Sequence, residues 1–169
     1  SAFEALSLRE NVRAFATVKS AQDSLENSPE IQRNPGETSA DLISIVIPLW
    51  NEEQGMEPLI ERLRNLQSNS GLQIELVMVN DGSTDDTAPK AQKLLAHFPR
   101  WKLIHLSRNF GQQAAFRAGL DHCSGGAIVF LDADLQDPPE LISEMVALWR
   151  NGAKVVTACR RSRPEKGIR

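Results

Sequence analysis

Aromatic side chains are scarce in this chain of 169 residues: they make up 5%, and tyrosine is absent. No basic face recurs along the sequence either, so neither the stacking platforms nor the cationic stripe of a nucleic-acid binder is present. Cys123 and Cys159 are the two cysteines. They are too few for a disulfide framework and read as small buried hydrophobes. No stretch approaches the roughly 20 consecutive apolar residues of a membrane span. Ser1-Ala2-Phe3 lacks the basic start and apolar core of a secretory signal, and Glu4 and Glu10 do not suit an acid-poor transit peptide. A cytoplasmic setting is the expectation. His97, His105 and His122 are scattered, and His122 beside Cys123 has no partners at zinc spacing. They read as structural or surface residues, and Trp101 and Trp149 as core or helix-edge residues.

What is present fits a soluble globular domain with a real core: 41% hydrophobic and 24% charged residues. The net charge of −3 hides an uneven distribution. Through Asp41 there are seven acidic and four basic residues; from Leu42 onward there are fifteen of each. The last ten residues, Arg160 to Arg169, carry five cations and one anion. That stretch could face phosphates or an anionic membrane surface, or be a solvated tail.

Residues 1–40 form a section of their own. Phe3, Leu6, Leu8, Val12, Phe15 and Val18 give a loose helical spacing that dissolves into Asn27-Ser28-Pro29 and Asn34-Pro35-Gly36. The expectation is a frayed helix and a flexible lead-in. Residues 41–169 then alternate strand and helix. Strands are predicted over Leu42–Leu49, Ile74–Val79, Lys102–Leu106, Ala127–Leu131 and Lys154–Cys159. Helices are predicted over Met56–Leu66, from Ser83 to about His97, over Gln113–Cys123 and over Pro139–Arg150. Strands apolar on both faces and separated by helices imply an α/β fold, a mostly parallel sheet covered on each side.

Ligands of such sheets collect beyond the carboxyl ends of the strands. Those ends carry Pro48-Leu49-Trp50-Asn51-Glu52, Asn80-Asp81-Gly82-Ser83, Ser107-Arg108-Asn109-Phe110-Gly111, Asp132-Ala133-Asp134 and Arg160-Arg161. Any one of them is ordinary turn chemistry; five together point to a site. Asp132 and Asp134 are the sharpest signal. Asp137, before Pro138-Pro139, reads as the cap of the next helix, whereas Asp132 and Asp134 lie too far upstream for that task. With the amide oxygen of Gln136 they offer the hard donors that Mg²⁺ or Mn²⁺ prefers. Glu52 and Asp81 are placed to accept hydrogen bonds from a base or ribose. Arg160 suits phosphate oxygens, and the turn at Gly111 lets backbone N–H groups approach a ligand near Gln112. A nucleotide diphosphate leaving group fits all these parts.

Four motifs in order, Ile45-Val46-Ile47-Pro48 with Asn51-Glu52-Glu53, Val79-Asn80-Asp81-Gly82-Ser83-Thr84-Asp85, Arg108-Asn109-Phe110-Gly111 and Asp132-Ala133-Asp134-Leu135-Gln136-Asp137-Pro138-Pro139-Glu140, resemble a family 2 glycosyltransferase. The likeness runs over about residues 42–163 and is nearest to the dolichol-phosphate mannose synthase and polyprenyl-phosphate sugar transferase branch. It implies a GT-A fold and an inverting transfer from a UDP- or GDP-linked sugar, aided by Mg²⁺ or Mn²⁺. Pro48, Trp50, Glu52, Val79 and Asp81 would line the nucleoside pocket. Asp132, Ala133 and Asp134 would form the metal-binding motif with Gln136 as a further ligand. Arg160 would hold the diphosphate, with Arg108 a weaker candidate. Asn80 stands where the family usually has Asp, and Trp50 where Tyr is common. Members normally continue beyond the fifth strand with acceptor-binding elements and often membrane helices, so a fragment or a donor-binding half is expected.

A polyprenyl or dolichyl phosphate acceptor is already an anion and needs no strong base; a glycan hydroxyl needs one, and the sequence offers no convincing candidate. Two enzyme-independent or rival readings stand beside this one. The first is a nucleotide-sugar-binding module without transfer. The second is an aspartate-nucleophile phosphatase, which the position of the motif after the fourth strand disfavours. A phosphate-receiver domain is disfavoured as well, because this chain has no lysine at the end of its fifth strand.

Overall fold

The computed structural model describes residues 14–17, 41–96 and 100–158. Its elements are β1 (Ala14–Thr17), β2 (Leu42–Leu49), α1 (Met56–Ser70), β3 (Gln73–Asn80), α2 (Thr87–Leu95), β4 (Trp101–His105), α3 (Gln112–Leu120), β5 (Ala127–Phe130), α4 (Leu141–Arg150) and β6 (Val155–Ala158). They build one six-stranded sheet in the order β4-β3-β2-β5-β1-β6. β2 is parallel to both β3 and β5, and β3 is parallel to β4. The α/β layout with a mostly parallel sheet is as the alternating pattern implies.

The departure lies in β1. It runs antiparallel to β5 and to β6, pairing Phe15 with Phe130 and with Thr157. The frayed helix expected around it is therefore corrected to a strand over Ala14–Thr17; the rest of residues 1–40 lies outside the described residues. Helical spacing in an isolated segment is a weak preference, and two strands offering unpaired backbone groups on either side override it.

Strand alternation divides the core in two. Ile43, Ile45 and Ile47 of β2, Ile74, Leu76 and Met78 of β3 and Val129 of β5 face one side. Against them pack Met56, Leu59, Ile60 and Leu63 of α1, Ala91 and Leu95 of α2, and Ile142, Met145 and Val146 of α4. The opposite face holds Val46, Val77, Val79 and Ile128 under Ala115 of α3, with Phe116 and Phe130 edge to face at 4.9 Å. Below that smaller core Glu75 is buried in a polar knot. It accepts from the Ser44 hydroxyl at 2.6 Å, from Lys102 Nζ at 2.6 Å, and from the Ser124 hydroxyl and N–H at 2.7 and 2.8 Å.

Helix ends shift from the sequence expectation for local reasons. α1 runs on to Ser70, where Gly71 in the left-handed region (φ 67°) returns its N–H to the Gln67 carbonyl. α4 begins at Leu141, with Glu140 immediately before it, rather than at Pro139. Pro138 and Pro139 instead make a tight turn in which their carbonyls accept from Leu141 and Ile142.

Candidate active site

The carboxyl ends of β2, β3, β4 and β5 share one rim, because these strands all run the same way. The ladder continues one residue past the strands: Asp81 N–H donates to Leu49 O, Leu106 N–H to Asn80 O, and Leu131 N–H to Val46 O. The loops are then stitched to one another. Glu52 N–H donates to Thr87 Oγ1 at 2.7 Å, Asn51 N–H to Ser83 Oγ at 3.1 Å, and Thr84 N–H to Asn51 Oδ1 at 2.9 Å. Asn51 accepts a left-handed backbone (φ 55°) to make this fit. Asn80, the position where Asp was the expected residue, closes its own turn by accepting from Ser83 N–H at 3.1 Å, and its amide nitrogen lies 3.3 Å from His105 Nδ1.

Between these loops opens a cavity of about 410 Å³, within the range of small-molecule sites. Pro48, Trp50 and Glu52 line it from the β2 end, Asp81 from β3, and Asp132, Ala133 and Asp134 from β5. Seven of the expected site residues are thus brought together. Asn109, in a segment expected at the rim, and Gln112 also line the cavity; the sequence assigns no side-chain role to either. Gln112 was noticed only for its backbone at the helix start, and nothing in its spacing reveals that its side chain reaches the β5 loop.

Three expected residues fare differently. Val79 is fully buried with its side chain in the smaller core, 3.2 Å from where a Cβ on Gly119 would stand; it does not line the cavity, because strand alternation turns it toward α3. Gln136 is exposed and contributes its backbone N–H to Asp134 Oδ1 at 3.0 Å. The left-handed Leu135 (φ 61°) precedes Gln136, which is not among the residues lining the cavity. Arg160, like Cys159 and Arg161, lies outside the described residues. Arg108 is exposed, its guanidinium 4.9 Å over the Phe110 ring.

The electrostatics of the cavity are those of crowded anions. Burial, and then the charges of Asp134, Asp85 and Asp132, push the Glu52 carboxyl above its ordinary range. Burial, Asp134 and Asp137 do the same to Asp132, against a hydrogen bond from Gln112 Nε2 to Asp132 Oδ1 at 2.5 Å. A hard cation would relieve this repulsion, and the oxygen donors fit it. Among the described residues no three acidic, histidine or cysteine side chains are gathered to hold a metal by themselves. Two carboxylates, with the remaining positions left to a ligand's phosphates, is the habit of Mg²⁺ sites.

Comparison with known proteins agrees with this picture. A glycosyltransferase of Synechocystis is 46% identical over 121 residues, 72% of this chain and 38% of that protein. A bactoprenol glucosyl transferase of Shigella phage SfV is 38% identical over 125 residues, 74% of this chain and 41% of that one. The chain thus spans about two fifths of the length of these curated relatives. Among solved structures, a mannosyltransferase of Pyrobaculum calidifontis, in complex with GDP-Man and Mn²⁺, superposes with a TM-score of 0.56 at 20% identity, covering 74% of this chain and 36% of that one. The fold is therefore GT-A. With residues 44–168 matching the family described as glycosyl transferase family 2, the chain belongs to that family.

Proposed function

We propose that this chain is the donor-binding part of an inverting glycosyltransferase that moves a sugar from a nucleotide diphosphate to a polyprenyl phosphate. The observation that carries the proposal is the cavity at the strand ends, which Asp132, Asp134, Trp50 and Asp81 line together. The bactoprenol glucosyl transferase among its relatives supports the acceptor class.

In this reading Trp50, 55% exposed at the mouth, offers a face to the base, beside Pro48 and Glu52. Asp132 and Asp134 would hold Mg²⁺ or Mn²⁺, with the Ala133 backbone between them. The cation, when bound, would supply positive charge to offset the negative charge that builds on the departing diphosphate. Arg160 would grip the same phosphates. The acceptor phosphate, already anionic, attacks the anomeric carbon in line as the bond to the diphosphate breaks, so no strong base is required. Preorganised charge and dipoles around the leaving group would account for most of the acceleration. Residues 41–169 form the catalytic unit in this proposal. The basic stretch 160–169 would touch the cytoplasmic face of the membrane that carries the acceptor. Among the described residues no helix is long and apolar enough to cross a membrane.

Calorimetry with UDP- and GDP-sugars in the presence of Mn²⁺, beside a transfer assay with polyprenyl phosphate, tests this. Metal-dependent binding lost in Asp134→Ala, together with turnover, is the expected result. Binding without turnover would leave a nucleotide-sugar-binding module, and binding unchanged in Asp134→Ala would remove the metal assignment.

A further inference from the structure

Asp81 and Asp132, which both line the cavity, are joined by three consecutive residues. Asp81 is 2% exposed, and its two carboxylate oxygens accept from successive backbone groups, Phe110 N–H and Gly111 N–H, at 2.8 Å each. Gly82 lies under the same segment: a Cβ there would stand 2.4 Å from the Arg108 carbonyl carbon and 2.5 Å from Asn109 N. Asn109 Oδ1 accepts from Gly111 N–H as well, at 3.0 Å. Gly111 itself has a φ of 92°, which a side chain would strain. The loop is therefore pinned from below, and the next residue, Gln112, opens α3 and donates its side-chain amide to Asp132 Oδ1.

We infer that Gln112 is a positioning residue for Asp132 and that Asp81 sets its position, so that Asp81 and Asp132 are coupled through Phe110, Gly111 and Gln112. This rests on the reading that Asp132 helps to hold a cation. A carboxylate held by one oxygen loses rotational freedom and presents the other at a fixed angle. An amide donor also offsets part of the repulsion from Asp134 and Asp137. Hydrogen-bonded partners of ligating carboxylates are worth about 10- to 100-fold in metal affinity. Asp81 then acts at a distance, through a backbone segment that its carboxylate holds at two points.

The test uses the metal-free chain and two variants. Gln112→Met keeps the length of the side chain and removes the donor; Asp81→Asn keeps the shape and replaces one acceptor with a donor that faces an N–H. In NMR spectra of the ¹⁵N-labelled chain, Asp81→Asn is expected to move the Gln112 side-chain amide signals toward those of exposed glutamines. Mn²⁺ in the presence of inorganic diphosphate, followed by electron paramagnetic resonance, should bind about tenfold more weakly to each variant. Because both act on one link, the double variant should also lose about tenfold, not a hundredfold. Gln112 signals that ignore Asp81→Asn, or losses that multiply, overturn the coupling. If Asp81→Asn does not fold, Asn109→Ala removes a single exposed bond of the same segment and should shift the same signals. Wild-type Mn²⁺ binding matched by Gln112→Met sinks the coupling alone. Absence of Mn²⁺ binding to the wild-type chain with inorganic diphosphate present sinks the cation reading, and this role of Gln112 with it.

Discussion

Gly119 of α3 lies against Val46 of β2 so closely that a Cβ built on the glycine would come within 2.3 Å of the valine Cγ1. The helix above the smaller core is held at this spacing, and with it Gln112 at the other end of the same helix.

Gly119→Ala weighs two effects of opposite sign. Helix propensity favours alanine by about 0.8–1.0 kcal/mol, while overpacking costs about 1–3 kcal/mol. Val46 is fully buried and stiff at χ1, so the steric cost should win, with a net loss of up to about 2 kcal/mol in urea unfolding. Recovery in the Val46→Ala/Gly119→Ala double variant checks the cause.

Glu75 should make the fold sensitive to acid. Burial by itself would raise its carboxyl; the hydrogen bonds from Lys102, Ser44 and Ser124 outweigh it and hold the group below its usual value. A lowered folded value means stability that is present above the ordinary carboxylate range and lost as the pH falls through the folded one. Glu75→Gln should cost about 1–3 kcal/mol near pH 7, and the gap from wild type should shrink on acidification. A constant gap across the titration would show that charge is not the cause.

Glu52 has the opposite sign. Its carboxyl is raised by burial and by the charges of Asp134, Asp85 and Asp132, so its contribution is favourable below the ordinary range and is lost as the pH rises through the folded value. Glu52→Gln is therefore expected to raise the melting temperature of the metal-free chain at neutral pH and to leave it unchanged in acid. Equal melting curves at neutral pH would remove the argument that these carboxylates repel one another.

Trp50→Ala separates recognition from stability. At 55% exposure the indole contributes little to the core, and unfolding should change by less than about 0.5 kcal/mol. Base stacking is worth about 1–3 kcal/mol, so nucleoside diphosphate affinity should fall about 5- to 150-fold. Unaltered affinity would place the base elsewhere.

Much of the architecture was legible because it follows from short-range pattern. The apolar run Leu42–Leu49 can be buried on both faces only as an inner strand, and Gly71 ends α1 because glycine tolerates the left-handed turn there. The rim of the cavity followed from strand direction: parallel strands place their carboxyl ends on one side, so Asp81 and Asp132 share one rim. Side-chain direction within a strand was legible too, though not used for Val79, which alternation turns toward α3.

What remained hidden depended on partners distant in the chain. Ala14–Thr17 is a strand because β5 and β6 stand on either side of it, and no local preference of four residues encodes that. The reach of Gln112 to Asp132 spans twenty residues of sequence, and Gln136, which follows the left-handed Leu135, is not among the residues lining the cavity. Composition and periodicity by themselves determined the layers of this protein and the carboxylates at its strand ends, since burial and strand polarity act on every residue alike. Only the tertiary structure decided which side chains face the cavity and which hold them there, because a hydrogen bond between loops depends on angles that no spacing records.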